Sequence, residues 1–324
     1  MTAERDPRVS EIFYYFENHT TLDSGRAAGR KIGVVQEVIL RRYLERQPAL
    51  RRRMFLEKSL RGRSGASHRV EFSWFAMESF EVGLGDEIPG TGSLRLVSVD
   101  HSGGGVRVGR ADWDRPVKLD AATRSRKLRD HLAGMCLDIR VTPSGDESIV
   151  ADVLDLSRPL ASLESKRVGA QRFSRTKKLG SGIQTIEKAK QAALVAVDLD
   201  LEYNGSVKPL PIESPRALVS LVALGNGVHW TDKDLAVLGA YVDYVFQVED
   251  SAIVRYADYV RRLWEAGGSN SGFLEYFMAY FQSMKTPPVD SFEVGDDDFR
   301  ALSPTGESRS LASVLAQHIE RTNP

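Results

Sequence analysis

The chain has almost no cysteine: Cys136 stands alone among 324 residues, so no internal disulfide can form and no cysteine-based zinc site can be assembled. A lone thiol suits a reducing compartment. Long apolar runs are missing too. No stretch approaches the roughly 18 apolar residues of a membrane-spanning helix, and the N-terminal Met1-Thr2-Ala3-Glu4-Arg5-Asp6-Pro7 has no apolar signal core. Together these absences lead us to expect a cytoplasmic protein with no membrane partner. His19, His68, His101, His131, His229 and His318 show no metal spacing such as His-x-x-x-His. Gly103-Gly104-Gly105 is not followed by Lys-Ser/Thr, so a hairpin turn is favoured there over a phosphate-binding loop. Neither an internal repeat nor a low-complexity segment is present.

The bulk composition is that of an ordinary globular chain. With 42% hydrophobic and 27% charged residues it can bury a sizeable core. We expect a single domain over 1–324, with its core at about 24–230 and a helical C-terminal extension over 231–324 packed on it. The formal net charge of zero hides a segregation. Residues 26–63 carry twelve Arg or Lys against three Glu, and residues 166–190 carry eight basic groups against one acid. Residues 285–324 carry four basic groups and seven acidic ones. A polyanion would meet the first two segments and avoid the last, although one basic run alone can be a solvated helix face.

Apolar spacing predicts helices over 8–17 and from Ser24 to about Arg46, the latter with Val34, Val35, Val38, Ile39 and Tyr43 on one stripe and Pro48 closing it. Arg51 to Leu60 is expected to be a third, Arg-rich helix, followed by a Gly/Ser loop at 62–67. Residues 69–82 alternate as a strand. Ser93–Val99 and Val106–Val108 flank a hairpin turn, and Arg124–Leu132 is expected to be a short basic helix. Leu137–Val141, Ile149–Leu156 and Leu160–Arg167 then suggest a three-stranded antiparallel meander with tight turns, the second at Ser157-Arg158-Pro159. A basic loop (169–181), a helix (183–197) and a doubly buried strand (217–224) follow. Helices are expected at 232–249, 252–264, 273–284 and 311–321. The fold class is therefore α/β (α+β): a central mixed sheet with an antiparallel meander, flanked by helices, and a helical C-terminal part.

Glu164 and Lys166 form the only carboxylate-x-Lys triplet in the chain. On a strand both side chains point to one face. A carboxylate to hold an ion and an ammonium to position a water suit magnesium-dependent phosphodiester chemistry. If residues 157–159 form a hairpin loop, Asp152 lies opposite Glu164, with Cβ atoms about 4.5–5.5 Å apart. One divalent ion would then relieve the repulsion between the two carboxylates. A one-residue slip would send Asp152 to the other face, leaving Asp155 or Asp138 as alternatives. The competing reading is an exposed, salt-bridged strand face.

Asp152, Glu164 and Lys166, with a helix before them, the acids on a meander, then a helix and a buried strand, resemble the PD-(D/E)xK nuclease superfamily, and type II restriction endonucleases in particular. The likeness covers about residues 24–225. It departs from the pattern in lacking a proline before Asp152. The resemblance implies a restriction-endonuclease-like core and magnesium held by Asp152, Glu164 and the Ser165 carbonyl. It also implies a water oriented by Lys166, and sequence-specific cleavage of double-stranded DNA leaving a 5′ phosphate. A homodimer or tetramer is the implied working unit. Glu37, on the predicted helix, could match the helical Glu near the metals in many members, or could pair with Arg41 one turn on.

Arg167, Gln171, Arg172, Arg175, Lys177 and Lys178 directly follow the triplet and are the expected DNA contacts, through phosphate before bases. Asp112-Trp113-Asp114-Arg115 is either a groove loop or a buried Trp with a capping pair. Cys136 and the tyrosines at 241, 244, 256, 259, 276 and 280 are expected in the core or a dimer contact. The alternatives to a restriction enzyme are a non-catalytic nucleic-acid-binding or assembly protein, and a structure-specific repair or phage nuclease.

Overall fold

A computed structural model describes residues 24–61, 67–102, 104–120, 128–129, 132, 134–142, 147–166, 219–225, 236, 239, 242–249, 251–253, 255–256, 259, 293–302 and 309–322. The architecture is α+β. The expected first core helix is present as α1 (Ser24–Glu45), which buries Val35, Ile39, Leu40, Tyr43 and Leu44 at helical spacing. Gln47, extended as residues before proline tend to be, leads into a single helical turn, Pro48–Arg51.

Beyond that turn the chain departs from expectation. Met54–Arg61 is a strand, β1, where a helix was expected. Met54 joins the core beneath α1 and Phe55 the core on the other face, so the segment is apolar on both sides and shows no clear alternation. β2 (Ser67–Gly83) pairs antiparallel with β1. A small antiparallel sheet of β3 (Arg95–Asp100), β4 (Gly105–Gly109) and β5 (Val117–Asp120) follows, with the expected hairpin turn between β3 and β4. Its Leu96, Val106, Val108 and Leu119 pack in one cluster with Val82, Ile149, Ala151 and Val153.

The main correction concerns the meander. β6 (Met135–Val141) is present, but Ser148–Lys166 is one continuous strand, β7, with no turn at 157–159. β7 runs antiparallel to β2 along its length: Gly83 faces Ser148 at one end and Phe72 faces Leu163 at the other. On its other edge, β6 pairs with the first half and β8 (Val219–Gly225) runs parallel to the second half. The turn chemistry of Ser157-Arg158-Pro159 is absorbed as a bulge where the register shifts around Phe75. Asp155 Oδ1 accepts from the Ser157 amide (2.9 Å) and hydroxyl (2.5 Å) there, and Pro159 has no N–H to leave unpaired. Asp155 thus serves the bulge.

β8 is the expected buried strand. Next to it β9 (Tyr244–Val248) is a strand where a helix was expected, parallel to β8, and β10 (Phe299–Ala301) pairs antiparallel with β9. The sheet order is β1-β2-β7-β8-β9-β10 with β6 also on β7, seven strands among the described residues. The segment expected as a helical extension therefore adds strands to this same sheet, alongside helix α2 (Leu311–Thr322). α1 and α2 share the largest core with Phe72, Trp74, Leu160, Leu163, Leu221 and Phe246. Among the described residues no helix is long and apolar enough to cross a membrane.

Candidate active site

Because β7 is continuous, Asp152 and Glu164 lie twelve positions apart on one strand and cannot face each other. Asp152 faces Ser79 on β2 and Asp138 on β6. It is fully buried and accepts from Ser79 Oγ at 2.6 Å and Arg140 Nη2 at 3.2 Å. Burial pulls the Arg53 guanidinium below its ordinary pKa, and the nearby Asp152 charge opposes that pull. Asp152 is thus an internal counter-charge for two arginines. Asp138, its register partner on β6, is buried beside it.

The partner of Glu164 is Glu71. The pairing of Phe72 with Leu163 brings Glu71, one step on, opposite Glu164. The two carboxylates bond the backbone in reciprocal fashion: the Glu71 amide donates to Glu164 Oε1 at 3.3 Å, and the Ser165 amide donates to Glu71 Oε2 at 2.6 Å. Glu164 and Ser165 are buried, at 8% and 5% exposed, while Glu71 is half-buried. Ser79 lies eight residues from Glu71, about 26 Å at ~3.3 Å per strand residue, so the Asp152 and Glu164 surroundings are separate places. Lys166 follows on β7, in register with Leu224 of β8.

A third glutamate extends the row. Glu57 on β1, between register positions Leu56 and Lys58, stands opposite Glu71 and has a left-handed backbone at φ 47°. Its carboxylate accepts from exposed Arg69, which holds it toward solvent. Among the described residues no three His, Cys, Asp or Glu side chains gather closely enough to hold a metal. Among the described residues the two carboxylates that meet at this point are those of Glu71 and Glu164.

From α1, the fully buried Gln36 donates through Nε2 to Ser165 Oγ at 2.7 Å and to the Ala223 carbonyl at 3.4 Å. Arg41 bonds Glu45 at 2.7 Å, which makes Glu45 a partner on the side of Arg41 away from Glu37. The basic run over 26–63 is not one exposed face. Arg42 is buried with its guanidinium 5.8 and 5.7 Å from the Tyr256 and Tyr259 ring centres, and Arg53 turns toward Asp152. Tyr256, Tyr259 and Cys136 are buried, as expected of core residues. Trp113 packs partly buried against the small sheet's core, and Asp112 pairs with Arg110 at 3.0 Å. Arg167, Gln171, Arg172, Arg175, Lys177 and Lys178, with the helices expected at 8–17, 183–197 and 273–284, lie outside the described residues.

Neither Glu71 nor Gln36 stood out in the sequence. A local cue existed for Glu71, an acid between the core residues Val70 and Phe72, but its partner is 93 positions away. No family model matches the chain, and no curated protein or solved structure matches it significantly.

Proposed function

We propose that Glu71, Glu164 and Lys166 form the active site of a magnesium-dependent nuclease that cleaves double-stranded DNA, of the type II restriction endonuclease kind. Glu71 takes the place first given to Asp152. The observation that carries this reading is the reciprocal bonding of Glu71 and Glu164, which sets two carboxylates together beside an x-Lys on the next positions of the strand. The order of elements supports it: α1, then β1, β2 and β7 as an antiparallel meander, then β8 parallel to β7. This is the arrangement that the resemblance to the PD-(D/E)xK superfamily implies, with β3 to β6 inserted between the second and third strands.

The donor set fits magnesium. Two carboxylates and the Ser165 carbonyl are hard oxygen ligands, and magnesium characteristically takes one or two carboxylates and leaves its other positions to water and phosphate. When bound, the ion polarises the phosphate and acidifies a coordinated water. The chain supplies the rest. Glu71 and Glu164 provide the negative charge that draws the cation, and backbone amides fix one oxygen of each carboxylate. Lys166 orients the attacking water or takes up its proton, and the 3′ oxygen leaves with the 5′ phosphate on the other product. DNA contacts from the basic segment 167–178 and a homodimer or tetramer belong to the same proposal.

Incubating a plasmid of known sequence with the protein and magnesium tests it. Discrete fragments that vanish with chelator are expected. Salt-sensitive binding without cutting would favour a non-catalytic DNA-binding protein, and a structure-dependent smear a repair-type nuclease.

A further inference from the structure

The middle residue of the triplet is gripped from two sides. Its amide is held by Glu71 Oε2 at 2.6 Å, and its hydroxyl by Gln36 Nε2 at 2.7 Å. Ser165 and Ala223 are register partners on the parallel strands β7 and β8. The Gln36 side-chain amide spans that pair from α1, with its longer contact on the Ala223 carbonyl. One helical residue therefore ties the triplet strand, its neighbour and the helix together at the point where Glu164, the Ser165 carbonyl and Lys166 take their orientation.

The amide is not needed to anchor the helix. Val35, Ile39 and Leu40 on the same helix are already buried in the core. Gln36 Oε1 is buried as well, and among the described residues it has no hydrogen-bond partner. A buried polar group on this apolar helix face, bonded to the residue between Glu164 and Lys166, fits a positioning role better than a packing role.

We propose that Gln36 is the positioning residue of the metal site, acting through the Ser165 hydroxyl to hold the Glu164–Lys166 backbone in its ion-binding orientation. This rests on the reading of Glu71 and Glu164 as the magnesium site. Gln36 touches neither ion nor substrate; its effect passes through Ser165.

The test is a calorimetric magnesium titration of the full chain, run on wild type, Glu164→Ala, Gln36→Met, Ser165→Ala and the Gln36→Met/Ser165→Ala double variant, with melting temperatures recorded alongside. Methionine keeps the volume and removes both donors, and the melting temperatures separate a loss of fold from a loss of the site. Magnesium affinity should fall about tenfold in Gln36→Met, and cleavage about 10- to 100-fold with the KM for DNA unchanged. The double variant should be no worse than the more severe single one, because both changes cut the same link. If Gln36→Met does not fold, Ser165→Ala, which removes one hydroxyl, must show the same loss. Wild-type magnesium affinity in a folded Gln36→Met, or in Ser165→Ala, or additive losses in the double variant, overturn the proposal while a loss in Glu164→Ala leaves the metal site standing. No magnesium binding by wild type, or unchanged binding in Glu164→Ala, overturns the metal site and this inference with it.

Discussion

Glu71 and Glu164 meet across the seam between β2 and β7, the amide of the first donating to Oε1 of the second at 3.3 Å while Glu71 Oε2 accepts from Ser165 at 2.6 Å. Two acids on adjacent strands repel at such a place. The backbone amides offset part of that repulsion, and the proposed divalent cation would offset more. This pair, 93 positions apart in sequence, is what the proposed chemistry rests on.

Asp152 should matter for stability and not for cleavage. Asp152→Asn keeps the shape but removes the charge that faces Arg53 and accepts from Arg140. Losing a charged hydrogen-bond acceptor costs about 1–3 kcal/mol, below the ~3–5 kcal/mol of a fully buried pair, because Arg140 is partly exposed. Urea denaturation should show a lower midpoint. Plasmid cleavage well below the melting temperature should stay within a few-fold of wild type, and loss of cleavage in a folded Asp152→Asn protein would return Asp152 to the active site.

Tyr43 should produce a stability loss at high pH. Its hydroxyl donates to Asp296 and accepts from the Ala312 amide at 3.1 Å, joining α1 to the 3-10 turn Asp296–Asp298 and to the start of α2. Burial, with the bond to Asp296 next, pushes the phenol well above its ordinary range. A folded-state pKa above the unfolded value contributes stability that is fully present below about pH 10 and is lost as pH rises beyond it. Tyr43→Phe should therefore cost about 1–2 kcal/mol at pH 8, and its gap from wild type should narrow between about pH 9 and 12. A gap that stays constant across that range contradicts the assignment.

The parts of the fold that were legible in the sequence are those whose periodicity is uninterrupted. α1 shows its stripe through Val35, Ile39 and Tyr43 and α2 its Leu311, Leu315 and Ile319 spacing; β2 was legible from its aromatic content, although Phe72 to Met77 are buried in a row and break its alternation. β8 stood out as a short apolar run buried between two parallel neighbours. Illegibility had physical causes. Ser157-Arg158-Pro159 has the composition of a turn, yet a bulge uses the same residues, and only the long pairing with β2 decides between them. β1 and β9 are short segments packed on both sides, for which periodicity cannot separate strand from helix. For the site, Glu164 and Lys166 were visible because they are two residues apart on one strand. Glu71 was not, because its proposed role arises from register and from a strand far along the chain. Asp152 drew attention through a hairpin that does not form.

Magnesium-dependent plasmid cleavage by Glu71→Gln, measured beside Asp152→Asn and wild type, tests the central claim most directly. The site built on Glu71 and Glu164 predicts a loss of about a hundredfold or more for Glu71→Gln and near wild-type rates for Asp152→Asn. Wild-type cleavage by a folded Glu71→Gln protein would contradict it.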